Sequence, residues 1–381
     1  MRLLDILRAA VLVCLPPLVA CSGGGFATHS GLSSDNFISV TDGKPTGLYV
    51  LRNSAGVEVC ITNYGARIVS ILTPDRDGRL ADIVCGFEYV RDYRVIRQNF
   101  GALVGRYIGR IQGASFEIDG RRYELPAAGN GHCTHGGYPG FADRVWDVES
   151  CDGRSVSMRY LSVDGENGFP GNLDVKVTYS LGEDNGLEIL YQAETDRATV
   201  LNLSNHSFFN LSGDLSSAVL GHQLRVASDS IAEYDSRKCV TGRFLPVEGT
   251  PFDFAEFHAI GERIEADDSQ IAAGNGYDHT WQLNHPDGEM FEAAFVVEPA
   301  SGRTMSIVTD QPGVHIYTAN GLNGQIAGKG GILYPRRNSV CFETMHFADS
   351  PNKPQFPSTL LRPGEKFCSR TVFRFGTDAA L

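Results

Sequence analysis

The stretch Leu173-Asp174-Val175-Lys176-Val177-Thr178-Tyr179-Ser180-Leu181 alternates apolar and polar side chains over nine residues, the period of a strand with one face buried and the other in water. Gly182-Glu183-Asp184-Asn185-Gly186 then supplies a turn into the apolar-rich run Leu187 to Ala193, so the segment reads as an antiparallel hairpin. A second hairpin is expected in Ser115-Phe116-Glu117-Ile118, Asp119-Gly120 and Arg121 to Leu125, because an Asp-Gly pair between two such runs suits a two-residue type I′ turn. Similar punctuated runs recur at 47–52, 57–62, 67–72, 155–161, 199–203, 291–297, 303–309, 314–318 and 369–375. Helical turns are expected only near Glu88 to Tyr93 and Ala255 to Glu262. No long linker or repeat divides residues 40 to 381. The pattern therefore predicts an all-β chain folded as one large antiparallel β-sandwich.

Composition agrees with a folded, turn-rich body. Of 381 residues, 42% are apolar and 20% charged, and 43 are Gly, which is enough apolar surface to bury a core. The formal charge of -12 and the lack of a Lys/Arg run argue against nucleic acid as a partner, since that would need a concentrated basic face.

The N-terminus reads as a processing segment. Arg2 and Arg8 bracket a short basic region, and Ala9 to Ala20 is nearly all apolar, the length of a signal-peptide core and too short to span a bilayer. Leu18-Val19-Ala20-Cys21 resembles a bacterial lipobox, in which Cys21 would be lipidated and become the mature N-terminus. The expectation is a signal peptide over 1–20, a tether over 21–42 and one domain over 43–381, in a protein exported to the periplasm and anchored by lipid. Cleavage would remove Arg2, Arg8 and Asp5, leaving 31 basic and 44 acidic residues of the original 33 and 45. The charge argument stands. Of nine Cys, Cys14 would leave with the signal, and no disulfide is assigned among the rest; Cys60, Cys85 and Cys341 sit in apolar runs where small buried side chains are expected.

Five segments interrupt the strand pattern in a shared way: Gly105 to Arg110, Asn130 to Gly137, Asn202 to Asn210, Gly276 to Trp281 and Val340 to Thr344. Each sets His, Asp, Glu, Arg or Asn among Gly and aromatics. Aromatic rings offer apolar platforms to the C–H faces of a sugar, while the polar groups match its hydroxyls. The combination suits a neutral polyol bound in a cleft on one sheet face.

At these positions the sequence resembles the galactose mutarotase (aldose 1-epimerase) family. The resemblance runs from about Gly47 to Phe375 and includes Asn63-Tyr64-Gly65-Ala66, His135-Gly136-Gly137, Asn205-His206-Ser207-Phe208-Phe209-Asn210-Leu211, Gly276-Tyr277-Asp278-His279 and Gln311-Pro312-Gly313-Val314. Most diagnostic is Cys341-Phe342-Glu343-Thr344, followed by His346-Phe347, Asp349-Ser350-Pro351-Asn352 and Leu361-Arg362-Pro363-Gly364-Glu365. The family implies a β-supersandwich that interconverts the α and β anomers of free aldoses without a cofactor or a metal. It implies Glu343 as the base that takes the C1 hydroxyl proton and His206 as the acid that protonates the ring oxygen. It also implies Arg110, His135 and Asp278 as substrate-binding residues. His315 stands where relatives often have Gln and is a further substrate-binding candidate; Gly109 stands where they usually have Asn. Asn205 and Asn320 are expected to serve backbone and loop hydrogen bonding.

Each role has a structural competitor. An inward Glu343 could be half of a structural ion pair, His206 could be a satisfied core histidine, and His135 and Asp278 could hold loops. Other functions share the same residues: a non-catalytic exported sugar-binding module, or a hexose-6-phosphate 1-epimerase that would recruit Arg336 and Arg337. A zinc site built on His132, Cys133, His135, His206 and Asp278 fits no compact ligand spacing. The preferred aldose and the oligomeric state are not written in the sequence.

Overall fold

In the computed structural model, which describes residues 25–285 and 288–378, Leu173–Leu181 pairs antiparallel with Gly186–Thr195 from Leu173 opposite Thr195 to Leu181 opposite Leu187. Its odd-numbered residues are buried and its even-numbered residues half-exposed, as the alternation requires. The hairpin lies within a nine-stranded antiparallel sheet. From one edge the order is Asp147–Cys151, Ser155–Ser162, Leu173–Leu181, Gly186–Thr195, Phe367–Thr377, Arg303–Thr309, Phe291–Val297, Gln223–Val226 and His258–Ala259.

Two smaller antiparallel sheets pack over it. One has four strands, Leu48–Arg52, Glu58–Thr62, Arg67–Pro74 and Leu80–Asp82, and the other has five, in the order Val240–Pro246, Ser230–Tyr234, Asp278–Gln282, Gly313–Tyr317 and Cys341–Met345. A single apolar core joins the layers, with Val177, Ile189 and Phe373 from the large sheet, Ile61 and Ile71 from the four-stranded sheet, and Trp281, Ile316 and Phe342 from the five-stranded one. The result is the all-β sandwich expected from the strand pattern.

The second hairpin also forms. Ile118 pairs with Arg121, and the connecting Asp119 and Gly120 both have positive φ, 51° and 76°, as a type I′ turn demands. Of the two expected helical regions, the first overlaps the helix Val90–Ile96. The second is not helical: His258–Ala259 pairs as a short strand with Gln223 and Leu224. A helix lies further on at Ser269–Gly274, where the Asp268 carboxylate accepts hydrogen bonds from the N–H groups of Gln270 and Ile271. The expectation missed it because a six-residue helix is too short to display a periodic face and depends on its cap.

The packed body begins before residue 43. Leu32 and Phe37 are buried, and the backbone N–H groups of His29 and Ser30 donate to the buried Glu58 carboxylate at 3.0 Å each. Residues 25–42 are thus docked on the domain, although the sequence reading assigns 21–42 to a tether. The signal segment and Cys21 lie outside the described residues. Cys60, Cys85, Cys133, Cys239, Cys341 and Cys368 are free thiols.

Two truncations separate the faces of the large sheet. Ile189→Ala, in the core, should cost about 2–5 kcal/mol, whereas Lys176→Ala on the outer face should cost less than about 1 kcal/mol; urea unfolding of both variants provides the comparison.

Candidate active site

Three adjacent strands at one side of the five-stranded sheet, Asp278–Gln282, Gly313–Tyr317 and the edge strand Cys341–Met345, bring distant segments of sequence into one row. Thr280 lies opposite His315, and His315 lies opposite Glu343. Because side chains alternate across a strand, Asp278, Thr280, His315, Tyr317, Glu343 and Met345 share one face, while Trp281, Val314, Ile316 and Phe342 enter the core on the other. His206 arrives from outside this sheet, on Ser204–His206, which pairs with Ala102–Val104.

The row forms the floor of a cleft of about 410 Å³ whose lining includes Arg110, His135, His206, Asp278, His315 and Glu343. All six residues singled out from the sequence as catalytic or substrate-binding therefore meet in one place. Gly109 lines it as well.

His206 and Glu343 touch: Nε2 stands 3.3 Å from Oε1, and the two side chains are only 8% and 3% exposed. Phe208 stacks against the His206 imidazole with ring centroids 4.9 Å apart. Burial raises the Glu343 carboxyl to about 7, with Asp278 adding to the rise and His315 and Arg110 opposing it. Burial, helped by His135 and His315, pushes His206 well below its ordinary value. Desolvation disfavours the charged form of each group, so around neutrality the pair is poised between a shared proton and none.

Asp278 is the fixed charge beside them. Burial alone would raise its pKa, but the hydrogen bond and charge of His315, together with Arg110 and Lys238, hold it at about 2. His315 Nε2 lies 3.1 Å from Asp278 Oδ1, and Arg110 Nη2 and Lys238 Nζ lie 3.8 and 3.7 Å from Oδ2. Since an ionised carboxylate only accepts, His315 Nε2 carries a hydrogen toward it. His315 Nδ1 is 3.0 Å from the Thr280 hydroxyl. Both ring nitrogens are occupied, which makes His315 a brace for Asp278 as well as part of the cleft wall.

His135 is set by the turn around it. Its Nδ1 accepts a hydrogen bond from the Gly109 N–H at 3.3 Å, and its own N–H donates to the Gly109 carbonyl at 2.9 Å. Burial, reinforced by Arg110 and His315, lowers its pKa to about 3, so the imidazole is neutral and its Nε2–H is the donor available to a ligand. Gly136 explains part of the His-Gly-Gly motif: a Cβ there would lie 2.2 Å from the Gly105 carbonyl oxygen. Gly109 has φ +83°, and a Cβ would stand 3.0 Å from Ala348 Cβ, so the Asn usual in the family would press on Ala348.

Asn205 and Asn320 serve the backbone as expected. Asn205 Nδ2 donates to the Gly101 carbonyl and its Oδ1 accepts from Ser207, while Asn320 Nδ2 donates to the Tyr277 carbonyl. The sequence reading missed Lys238, whose ammonium reaches Asp278 from a turn with φ 61°; one basic residue in a polar turn carries no signal of its own. Arg336 and Arg337 both face Glu265. Among the described residues the group with closely set metal-ligand atoms is not the one considered from sequence but His206, Cys341 and Glu343, within 4.8 Å of one another. Burial holds the Cys341 thiol well above its ordinary pKa, which disfavours the thiolate a metal requires.

A buried carboxyl in contact with a buried imidazole, at the bottom of a cleft lined by hydroxyl-matching side chains on a β-sandwich, is the arrangement a carbohydrate-processing site needs. The comparisons make this specific. The aldose 1-epimerase profile matches residues 47–374. Galactose mutarotase from Mus musculus is 39% identical over 320 residues, covering 84% of this chain and 91% of the relative. Aldose 1-epimerase from Escherichia coli (strain K12) is 33% identical over 336 residues, covering 88% and 96%. Among solved structures, a GalM/aldose epimerase homologue from C. elegans superposes with a TM-score of 0.81 at 27% identity over 87% of this chain and 99% of its own. Galactose 1-epimerase from Lactobacillus acidophilus NCFM gives 0.78 at 28% over 89% and 97%. The chain belongs to the aldose 1-epimerase family, and is an isomerase acting on carbohydrate.

The buried carboxyl makes a stability prediction. Glu343 binds its proton more tightly folded, at about 7, than at its ordinary value of 4.5. The unfolded chain therefore ionises first as pH rises, and the cost to folding grows between those values and is complete above them. Glu343→Gln should be more stable than wild type at pH 8, by up to roughly 3 kcal/mol, and lose that advantage at pH 4.5. Urea unfolding at the two pH values measures the difference.

Proposed function

We propose that the protein interconverts the α and β anomers of free aldoses such as glucose and galactose, with Glu343 and His206 exchanging protons with the sugar. The observation that carries this reading is the direct contact of a buried carboxyl with a buried imidazole in a cleft whose walls are hydroxyl-binding groups.

The chemistry needs one proton donor and one acceptor. In the closed sugar, ionised Glu343 takes the proton of the C1 hydroxyl while protonated His206 gives its proton to the ring oxygen. The C1–O5 bond breaks, its electron pair stays on O5, and C1 becomes an aldehyde. The pair is left as neutral Glu343 and neutral His206, with its total proton count unchanged. Rotation about C1–C2 presents the other carbonyl face, and the reverse transfers close the ring with the opposite anomer. Both sugar oxygens that exchange protons sit on one carbon, so a donor and an acceptor in contact with each other can serve both.

The electrostatics favour this cycle. Burial draws the pair toward the doubly neutral state that accompanies the open aldehyde; His315 and Arg110 oppose it at Glu343, and Asp278 opposes it at His206. Arg110, the neutral His135 and the fixed Asp278 carboxylate orient the ring, Arg110 and His135 donating and Asp278 accepting from hydroxyls; His315 keeps Asp278 in place.

Polarimetry of freshly dissolved α-D-glucose and α-D-galactose tests the reading. Glu343→Ala and His206→Asn should each slow mutarotation by roughly 10²–10⁴-fold, and unchanged rates in both variants would exclude the assignment. We propose also that the chain is exported to the periplasm and tethered through lipid on Cys21, on the strength of the apolar run Ala9 to Ala20 and Leu18-Val19-Ala20-Cys21. The mass of the mature N-terminus should include a diacylglyceryl group on Cys21; an unmodified Met1 contradicts processing.

A further inference from the structure

The catalytic cleft is cationic in an acidic protein. The chain carries a formal charge of -12, yet among the described residues the cleft lining sets Arg97, Arg110 and Lys238 against two carboxyls, Asp278 and Glu343. Burial brings Glu343 to about 7, which leaves Asp278, at about 2, as the carboxyl that is charged throughout the neutral range. The acid/base cycle assigns no role to Lys238.

Lys238 is held toward the cleft by the turn that joins Ser230–Tyr234 to Val240–Pro246. The Asp235 carboxylate accepts from the N–H groups of Arg237 and Cys239 at 2.8 and 3.0 Å, and the Arg237 guanidinium pairs with that same carboxylate. Of the two adjacent basic residues, Arg237 is thus spent on the turn and Lys238 is presented to the site. Lys238 has φ 61°, a left-handed conformation that Gly or Asn adopts more readily, so the turn itself does not call for lysine. Arg110 Nη1 donates to the Lys238 carbonyl at 3.4 Å, which ties the two cations to one another.

Both cations face one oxygen of Asp278, Arg110 Nη2 at 3.8 Å and Lys238 Nζ at 3.7 Å from Oδ2, while His315 takes Oδ1. These distances are beyond hydrogen-bond reach, so the guanidinium and the ammonium keep donors for a ligand. Two positive charges against one carboxylate leave one positive charge in surplus. The surplus sits away from the reacting atoms. Glu343 is level with His315 and Thr280 across the sheet, whereas Asp278 lies opposite Tyr317, two strands over and two residues along, roughly 12 Å between backbones at ordinary strand spacing. A pyranose with C1 at Glu343 and His206 therefore points its remote end, which carries C4 and C6, toward Arg110 and Lys238.

We propose that Lys238, together with Arg110, recognises a carboxylate at the remote end of the aldose, so that hexuronates, aldoses whose C6 is a carboxylate, are substrates of this enzyme. A hexuronate carries one negative charge and matches the surplus. A sugar phosphate carries about -1.5 to -2 and would add repulsion from Asp278. The inference rests on the mutarotase reading.

The test compares D-glucose with D-galacturonate, D-glucuronate and D-glucose 6-phosphate at pH 7, each dissolved as a single anomer and followed by polarimetry with the spontaneous rate subtracted. Wild type should accelerate both hexuronates, with kcat/KM at least equal to that for glucose. Lys238→Gln should lower the ratio of hexuronate to glucose kcat/KM about tenfold, the size of one lost charged hydrogen bond, and Lys238→Glu should lower it further. Lys238→Arg should hold the ratio within about threefold of wild type, since it keeps the charge. The ratio cancels any effect on Asp278 that the sugars share, and glucose turnover reports that each variant is folded. Acceleration of glucose without either hexuronate overturns the proposal, as does a ratio that Lys238→Gln leaves unchanged. A preference for glucose 6-phosphate over both hexuronates overturns the assignment to a carboxylate. Failure of wild type on glucose and on every other sugar would instead overturn the mutarotase reading.

Discussion

A carboxyl and an imidazole 3.3 Å apart and almost sealed from water oblige the surrounding protein to hold them, because each loses solvation that only its neighbours can replace. The sandwich does so through strand pairing. Glu343 is placed by its register against His315, and His315 by its register against Thr280, while the opposite faces of the same strands are anchored by Trp281, Val314, Ile316 and Phe342 in the core. A slip of one residue in any of these strands would exchange core and cleft faces. Packing on one side thus fixes the chemistry on the other.

The charges form a graded set around that pair. Asp278 is kept ionised by His315, Arg110 and Lys238, His135 is kept neutral by burial beside Arg110 and His315, and Glu343 is brought near neutrality by burial. The fixed groups can orient a ligand without giving up protons. Separation of pKa values among neighbouring titratable groups is the arrangement expected where acid and base roles must be kept apart. It comes at a cost in stability, borne chiefly by the desolvated Glu343.

Sequence made some of this plain and hid the rest for physical reasons. Leu173–Leu181 was readable because one face meets the core and the other meets water. Cys341–Met345 is buried on both faces, so its alternation is between core and cleft, and an apolar/polar pattern could not mark it. Only Glu343 among apolar neighbours stood out, and resemblance supplied its role. The Asp119-Gly120 hairpin was equally readable, because the chemistry of those two residues sets the backbone of the turn locally. By contrast, Ala255 to Glu262 lacks such a local determinant and takes its short strand from pairing with Gln223 and Leu224. Lys238 reaches the site only through the fold, a placement that no linear motif records.

The central claim is that Glu343 and His206 work as a unit holding one mobile proton. The pH dependence of kcat/KM for glucose mutarotation tests it most directly, since that ratio reports the free enzyme's ionisations. The account predicts a bell-shaped profile whose alkaline limb has an apparent pKa near 7, where burial places the Glu343 carboxyl and the pair loses its last proton. A rate that stays flat from about pH 5 to pH 9 would contradict it.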